Sequence, residues 1–426
     1  MTSEPSGVGS TEPGATSAES GASGSAATAE PYRVGFLGYK FMGKAHANAL
    51  ARLPMFFPEA PATDRRVLIG RDEAALADAA DRFDFATTAT DWEAAIEEID
   101  VLYNLGPNHL HVEPSIAALE RGVHVFTEKP LAPTVEGAER VAEAAAASDA
   151  TAGIAFNFRF VPALRYARRL IADGALGEIR HVRARYLQDW LVDPEAPWSW
   201  RNSAELAGSG ALGDLGAHSV DLLRYLVGDA DGGGEIERVA GRLTTFVDER
   251  PVEGEDARGS SVGTAGGDGP ETRPVTVDDA YTASVELAGG AVGTLEASRV
   301  ATGRKNDHTV EIEGTKGSLR YDHERLNELA VRREGDRGYQ TVLVTEGEDP
   351  YIDRWWPPGH IIGWEHTFVH ENYEFLTALA AGDGDSDGDA DGDGGFEPDI
   401  RDGLAVQRVL DAIERSDETD EWVRVG

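Results

Sequence analysis

Between residues 32 and 156 the chain alternates short apolar runs with amphipathic stretches, and this alternation restricts its fold more than any other feature. Strands are expected at 32–37, 66–70, 101–105, 123–127 and 152–156, with helices between them at 42–53, 72–82, 114–121 and 135–147. Antiparallel neighbours can be joined by a two-residue turn, whereas parallel ones need a crossover of about a dozen residues or more, the length these helices supply. The expected product is α/β in class: a doubly wound parallel sheet over residues 31–157.

Beyond residue 157 the rhythm changes. A helix at 161–173, a strand at 179–188 and a helical segment near 213–226 lead into alternating strands at 281–287, 291–299, 309–313 and 318–321. Gly289-Gly290 and Thr315-Lys316-Gly317 offer turns between antiparallel neighbours. With closing helices at 365–381 and 400–416, residues 158–426 are expected to form an α+β domain on an open, mainly antiparallel sheet. Acidic insertions at about 248–274 and 382–395 interrupt it. The second resembles a calcium loop, but counted from Asp387 it places Gly392 sixth and Pro398 twelfth, where a bidentate Glu is needed; a hydrated loop is expected instead.

Charge excludes several partners. The chain has 39 basic and 76 acidic residues, a net charge of −37, and only five lysines: Lys40, Lys44, Lys129, Lys305 and Lys316. Nucleic acid and anionic membrane both require a cationic footprint, so neither is expected as a partner. Acidic residues are spread along the whole chain, which points to a halophilic surface whose self-repulsion is screened at molar salt, where the Debye length is about 3 Å. Cysteine is absent, and no apolar run is long enough to span a bilayer. Residues 1–30 have neither the basic nor the apolar region of a secretory signal, so an acidic disordered tail and a cytoplasmic location are expected.

The first strand ends in Gly35-Phe-Leu-Gly38-Tyr-Lys40-Phe41-Met42-Gly43 and runs into a helix. In a dinucleotide fold the first glycine permits the tight turn, the second admits the pyrophosphate and the third lets helix pack on strand. Gly38 and Gly43 hold the first and third places; Lys40 replaces the second and could pair with the pyrophosphate or point to solvent. The second strand ends Gly70-Arg71-Asp72, where a ribose-binding carboxylate is expected. Arg71 suits the 2′-phosphate of NADP and Asp72 the 2′-hydroxyl of NAD; the expectation leans slightly to NADP.

Carboxyl ends of parallel strands carry ligands in such sheets. There the fifth strand presents Glu128-Lys129-Pro130, and the fourth presents Asn104-Leu-Gly106-Pro107-Asn108-His109-Leu-His111. Proline holds Lys129 in an extended backbone or permits a cis bond, either of which aims the side chain. In the second domain Asp214 and His218 are four residues apart on an expected helix and so share a face. They suit an acid–base pair, with the carboxylate orienting the imidazole and stabilising its charge; by spacing alone, a helix cap beside a packed histidine fits as well. A metal pair lacks further ligands.

Taken in order, the glycine turn with Lys40, Glu128-Lys129-Pro130, Asn157-Phe-Arg159-Phe-Val-Pro162 and Gly213-Asp214-Leu-Gly216-Ala-His218 resemble the glucose–fructose oxidoreductase/inositol dehydrogenase (Gfo/Idh/MocA) family over nearly all of residues 32–425. The opening GYKFMGKAHANA, with Gln188-Asp-Trp190 and Trp198-Ser-Trp200-Arg201, looks most like its levoglucosan and inositol dehydrogenase branch. The resemblance implies hydride transfer between a secondary alcohol of a sugar or cyclitol and NAD or NADP. It implies that Lys129 polarises the reacting oxygen, His218 moves its proton, and Asp214 binds a hydroxyl or orients His218. Gln188 would reach substrate hydroxyls. Gly38, Lys40, Phe41, Met42, Gly43, Arg71, Asn104, Pro107, His111 and Glu128 would border the cofactor, and Asn157, Trp200 and Arg201 would line its nicotinamide side. Two alternatives stand beside this: an NAD-using glycoside hydrolase of the same fold, and a non-catalytic nucleotide-dependent regulator, which would not need the Lys129–Asp214–His218 set. A homodimer or homotetramer is expected, because an open sheet with one bare face commonly buries it in a partner.

Overall fold

The computed structural model describes residues 30–228, 234–252, 271–382 and 395–426. The expected tail up to residue 29, most of the first acidic insertion and nearly all of the second, with its calcium reading, lie outside these residues.

The first half builds a six-stranded, wholly parallel sheet from β1 (Tyr32–Leu37), α1 (Phe41–Phe56), β2 (Thr63–Ile69), α2 (Glu73–Phe83), β3 (Thr87–Ala89), α3 (Trp92–Ile96), β4 (Val101–Asn104), α4 (Val112–Leu119), β5 (His124–Thr127), α5 (Val135–Ala146) and β6 (Ala152–Ile154). The strand order β3-β2-β1-β4-β5-β6 reverses direction at β1 and β4, and this switch point is where such sheets bind ligands. Every residue of β4 is buried, as expected of a strand covered on both faces. Helix starts follow local chemistry: the Asp72 carboxylate caps α2 by accepting from the Ala75 amide at 2.9 Å, and Thr134 caps α5 through Gly137. The sequence pattern missed β3 and α3, whose three and five residues are too short to show a period.

The second half begins with α6 (Pro162–Ala172), β7 (Ile179–Leu187), α7 (Ala204–Ala207) and α8 (Ala217–Val227). Strands β8 (Ile236–Thr244), β9 (Glu249–Pro251), β10 (Thr272–Pro274), β11 (Ala280–Leu287), β12 (Val292–Ser298), β13 (Asp307–Gly314), β14 (Ser318–Asp322), β15 (Glu328–Arg332) and β16 (Gln340–Leu343) follow. Helices α9 (Glu365–Gly382) and α10 (Ile400–Thr419) and a short β17 (Val423–Arg424) close the chain. Nine of these strands form one sheet, ordered β16-β15-β14-β13-β7-β12-β11-β8-β17. It is antiparallel except between β7 and β12, which run parallel at its centre. Alternate residues of β11 are buried, including Tyr281, Ala283, Val285 and Leu287, so one face packs on helices. The other presents Thr282, Ser284 and Glu286.

The closing helices return to the first sheet. Helix α9 packs along α1, and α10 along α5. The Ile154 amide donates to Pro398 O at 3.0 Å, and Phe126 of β5 lies 4.7 Å, ring to ring, from Phe375 of α9. The chain's end thus completes the core begun by its first strands.

Candidate active site

The turn after β1 is sterically fixed. Gly38 has φ +117°, and a Cβ there would stand 2.6 Å from Leu105 O; a Cβ on Gly43 would stand 2.5 Å from Gly38 O. Only glycine fits either place, so the backbone stays close-packed and leaves the start of α1 open. Lys40 precedes α1 without capping it, and its exposed side chain makes no hydrogen bond among the described residues. Phe41 is also exposed, and Met42 is half-buried. Such a turn feeding a helix N-terminus fits a dinucleotide pyrophosphate. At the end of β2, the Tyr39 ring covers Gly70, where a Cβ would approach it to 2.5 Å. Asp72 is engaged in capping α2, and Arg71 is exposed beside it.

The β4 and β5 turns are tied together. Asn104 is fully buried, and its amide donates to Leu110 O at 2.8 Å and Ser115 Oγ at 3.1 Å. His111, also fully buried, spans Pro130 O at 2.7 Å and Gly106 O at 3.1 Å, bracing the turn that Pro107 opens. Burial pushes the His111 imidazole below its ordinary range despite those carbonyls. Both side chains are thus spent on bracing the turns that follow β4 and β5. The Lys129–Pro130 bond is cis. Glu128 accepts from the Lys129 amide and faces His46 at 3.4 Å, and His46 in turn meets Asn372 of α9 at 3.1 Å.

Lys129 reaches across to the second domain. Its Nζ donates to Asp214 O at 2.8 Å and lies 3.4 Å from Asp214 Oδ1. Asp214 sits in a π-helical turn, Leu212–Gly216, that leads into α8. Glycines allow this turn to pack tightly: a Cβ on Gly216 would meet the Tyr281 ring at 2.8 Å, and one on Gly213 would meet Ser209 Oγ at 2.6 Å. Asp278 holds the turn's start by accepting from the Gly210 amide at 2.7 Å and the Leu212 amide at 2.9 Å.

Here the structure corrects one expectation. No side-chain hydrogen bond joins Asp214 to His218 among the described residues. The wider turn breaks the regular helix that the four-residue spacing assumed. Asp214 pairs with Lys129, while the His218 ring stacks on Phe158 at 4.4 Å and leaves its buried Nδ1 unpaired. The carboxylate therefore does not orient the imidazole. Burial opposes ionisation of Asp214, but Lys129, Arg201 and Arg299 outweigh it and hold the carboxyl below its usual range. For His218 burial and charge act together: desolvation, the Lys129 ammonium and the neighbouring His308 and His323 all push it well below the ordinary imidazole value. The site thus holds an imidazole that resists protonation beside the Lys129–Asp214 pair.

Asn157 is buried and donates to Thr367 Oγ1 of α9 at 2.8 Å. Trp200 and Arg201 lie on a short 3₁₀ turn, with the Arg201 guanidinium 4.4 Å above the Trp200 ring. Buried Arg299 donates to Arg201 O at 3.3 Å and Asp278 O at 2.9 Å, linking that turn to the one carrying Asp214. Gln188, just past β7, contacts Tyr186 OH at 3.4 Å and Asn306 Oδ1 at 2.8 Å. Sequence reasoning missed Phe158, Tyr186, Arg299, Asn306, His308 and His323. Phe158 and Arg159 lay inside a quoted motif; the others come from strand ends and loops with no local signature.

A glycine turn at a sheet's switch point, an ammonium from the same sheet's carboxyl edge and a neutral imidazole from a second domain define a class: two-domain, dinucleotide-dependent oxidoreductases. Residues 32–156 match the model of the oxidoreductase family with an NAD-binding Rossmann fold, and residues 164–320 match the GFO/IDH/MocA C-terminal domain. The chain is 41% identical over 402 residues to levoglucosan dehydrogenase of Pseudarthrobacter phenanthrenivorans, covering 92% of this chain and 97% of that one. Among solved structures, levoglucosan dehydrogenase in complex with NADH superposes with a TM-score of 0.83 at 38% identity, over 93% of this chain and all of the other. An oxidoreductase domain protein from Kribbella flavida gives a TM-score of 0.83 at 44% identity, over 93% of this chain and 99% of the other. The chain belongs to the Gfo/Idh/MocA family of oxidoreductases.

Proposed function

We propose that this protein oxidises a secondary alcohol of a sugar or cyclitol, and that Lys129, Asp214 and His218 carry the reaction. The supporting observation is the contact of Lys129 with Asp214 across the domains, beside an imidazole kept neutral. A nicotinamide dinucleotide held by the Gly38–Gly43 turn would supply the hydride acceptor. The Lys129 ammonium, held by Asp214, stabilises negative charge on the substrate oxygen as its proton leaves. A base must be unprotonated to accept that proton, and His218 is. Gln188 contacts further hydroxyls, and Asn157, Trp200 and Arg201 border the nicotinamide. The test is a screen of pentoses, hexoses, anhydrosugars and inositols in molar KCl, with NAD and NADP separately. Reduced cofactor should accumulate in step with product; a hydrolase that recycles its cofactor would accumulate none, and a regulator would turn over nothing.

We infer a preference for NADP from Arg71, which stands exposed after β2 while the neighbouring Asp72 carboxylate is engaged in capping α2. Arg71→Ser should lower kcat/KM with NADP about tenfold, in line with one charge-assisted hydrogen bond, and change the NAD value less than about twofold. Equal losses with both cofactors would remove Arg71 from that role.

The bare face of the nine-stranded sheet supports a homodimer or homotetramer in high salt. Light scattering in molar KCl should give a multiple of 45.6 kDa, and a monomer mass would refute it.

A further inference from the structure

Asn306 lies in the loop between β12 and β13, next to the proposed reacting groups. Its carbonyl oxygen accepts from the Tyr186 hydroxyl at 2.7 Å and from Gln188 Nε2 at 2.8 Å. Tyr186 is itself within the site: its ring centroid is 6.0 Å from that of His218. Burial and then the charge of Asp214 raise its hydroxyl pKa, which keeps Tyr186 a donor.

An amide oxygen has two lone pairs, and both are used here. The Asn306 amide is thereby fixed in orientation, with both N–H bonds directed away from Tyr186 and Gln188. Its nitrogen makes no hydrogen bond among the described residues. The loop beneath it is anchored. Asp189 Oδ2 accepts from the Gly303 amide at 3.1 Å and Lys305 Nζ at 2.8 Å. The Ala301 backbone N–H donates to Gln188 O at 2.9 Å, and the Asn306 backbone N–H donates to Glu324 Oε1 at 3.1 Å. A rigid pair of N–H donors therefore stands beside the Tyr186 hydroxyl with no partner of its own.

We infer that Asn306 is a specificity-determining residue that donates to the oxygen of a substrate hydroxyl other than the one oxidised. The inference rests on the sugar or cyclitol reading above. It also explains why the loop is held from several sides: a donor fork discriminates between hydroxyl positions only if it cannot follow the ligand.

Asn306→Asp separates this role from that of a loop staple. The carboxylate keeps both acceptor bonds and the loop, but replaces the N–H donors with an acceptor. A staple would lose nothing. A donor to substrate would raise the KM for the sugar by about tenfold or more, with kcat changed less than about threefold and the dissociation constant of reduced cofactor unaltered. With the deoxysugar lacking the recognised hydroxyl, wild type and variant should converge.

Two measurements on the full chain in molar KCl complete the test: turnover, and sugar binding to the enzyme–reduced cofactor complex by nicotinamide fluorescence. Normal turnover with an unchanged KM in the variant overturns the role of Asn306 and leaves the dehydrogenase reading standing. Sugar binding weakened in the variant, with no oxidation by wild type, supports the subsite and removes the dehydrogenase reading. No sugar binding by wild type removes both.

Discussion

Lys129→Ala is expected to lower turnover by at least about 10²-fold while reduced cofactor still binds, because in the proposed reaction the ammonium is the group that stabilises the developing alkoxide. Fluorescence titration of NAD(P)H checks the binding arm and steady-state kinetics the turnover; a rate within a few-fold of wild type would remove Lys129 from the chemistry. The substitution carries a second, electrostatic signature. In the intact site, burial and Lys129 hold His218 well below the ordinary 6.5, so the acid limb of kcat/KM should fall below that pH. A base works only when deprotonated, so activity is retained above the limb and lost as pH drops through it. Removing the ammonium removes one repulsion, so the limb of the residual activity should move to higher pH. A purely structural lysine would lower the rate without moving it.

Asp221→Ala should cost the folded protein about 3–5 kcal/mol, the range for breaking a buried ion pair by removing one partner. Arg159 and Asp221 are 4% and 1% exposed, and three contacts of 2.6–3.1 Å join them. Burial works against the Arg159 charge, but Asp221 and Asp402 outweigh it and keep the guanidinium protonated. Asp402 would remain at 3.0 Å after the substitution, which places the expected loss near the lower end. The exposed Arg82–Asp78 pair, by contrast, should contribute at most about 1 kcal/mol. Denaturant midpoints in molar KCl measure both, and a loss under about 1 kcal/mol for Asp221→Ala would show that Asp402 alone suffices. Arg159 also holds the turn that seats Phe158 under His218, so the variant links stability to the site.

Much of this was legible from sequence because its physics is local. The strands of the first sheet are short runs buried on both faces, and Gly38 and Gly43 sit where the turn demands glycine; the capping role of Asp72 was not legible, because its place after β2 suggests a ribose ligand instead. The Gly213–His218 motif was also visible, but not the partner of Asp214: spacing gives an angle around a regular helix, and a π turn changes it. Tyr186, Asn306, His308 and His323 were invisible for a different reason. They meet only when β7 pairs with β13, more than a hundred residues away in the chain, and β13 with β14, which brings in His323. The parallel β7–β12 pair escaped for the same reason, since no pattern within either strand records its neighbour's direction.

The return of α9 and α10 to the first sheet bears on how the protein comes to be made. During synthesis β5 is complete long before Phe375 and Phe396 exist to cover Phe126. The nucleotide half therefore waits, with an apolar flank bare, until residues from Glu365 onward have left the ribosome. Nascent chains of this kind are exposed to aggregation through that flank, and a stop codon before α9 would damage the half encoded first as much as the half it truncates.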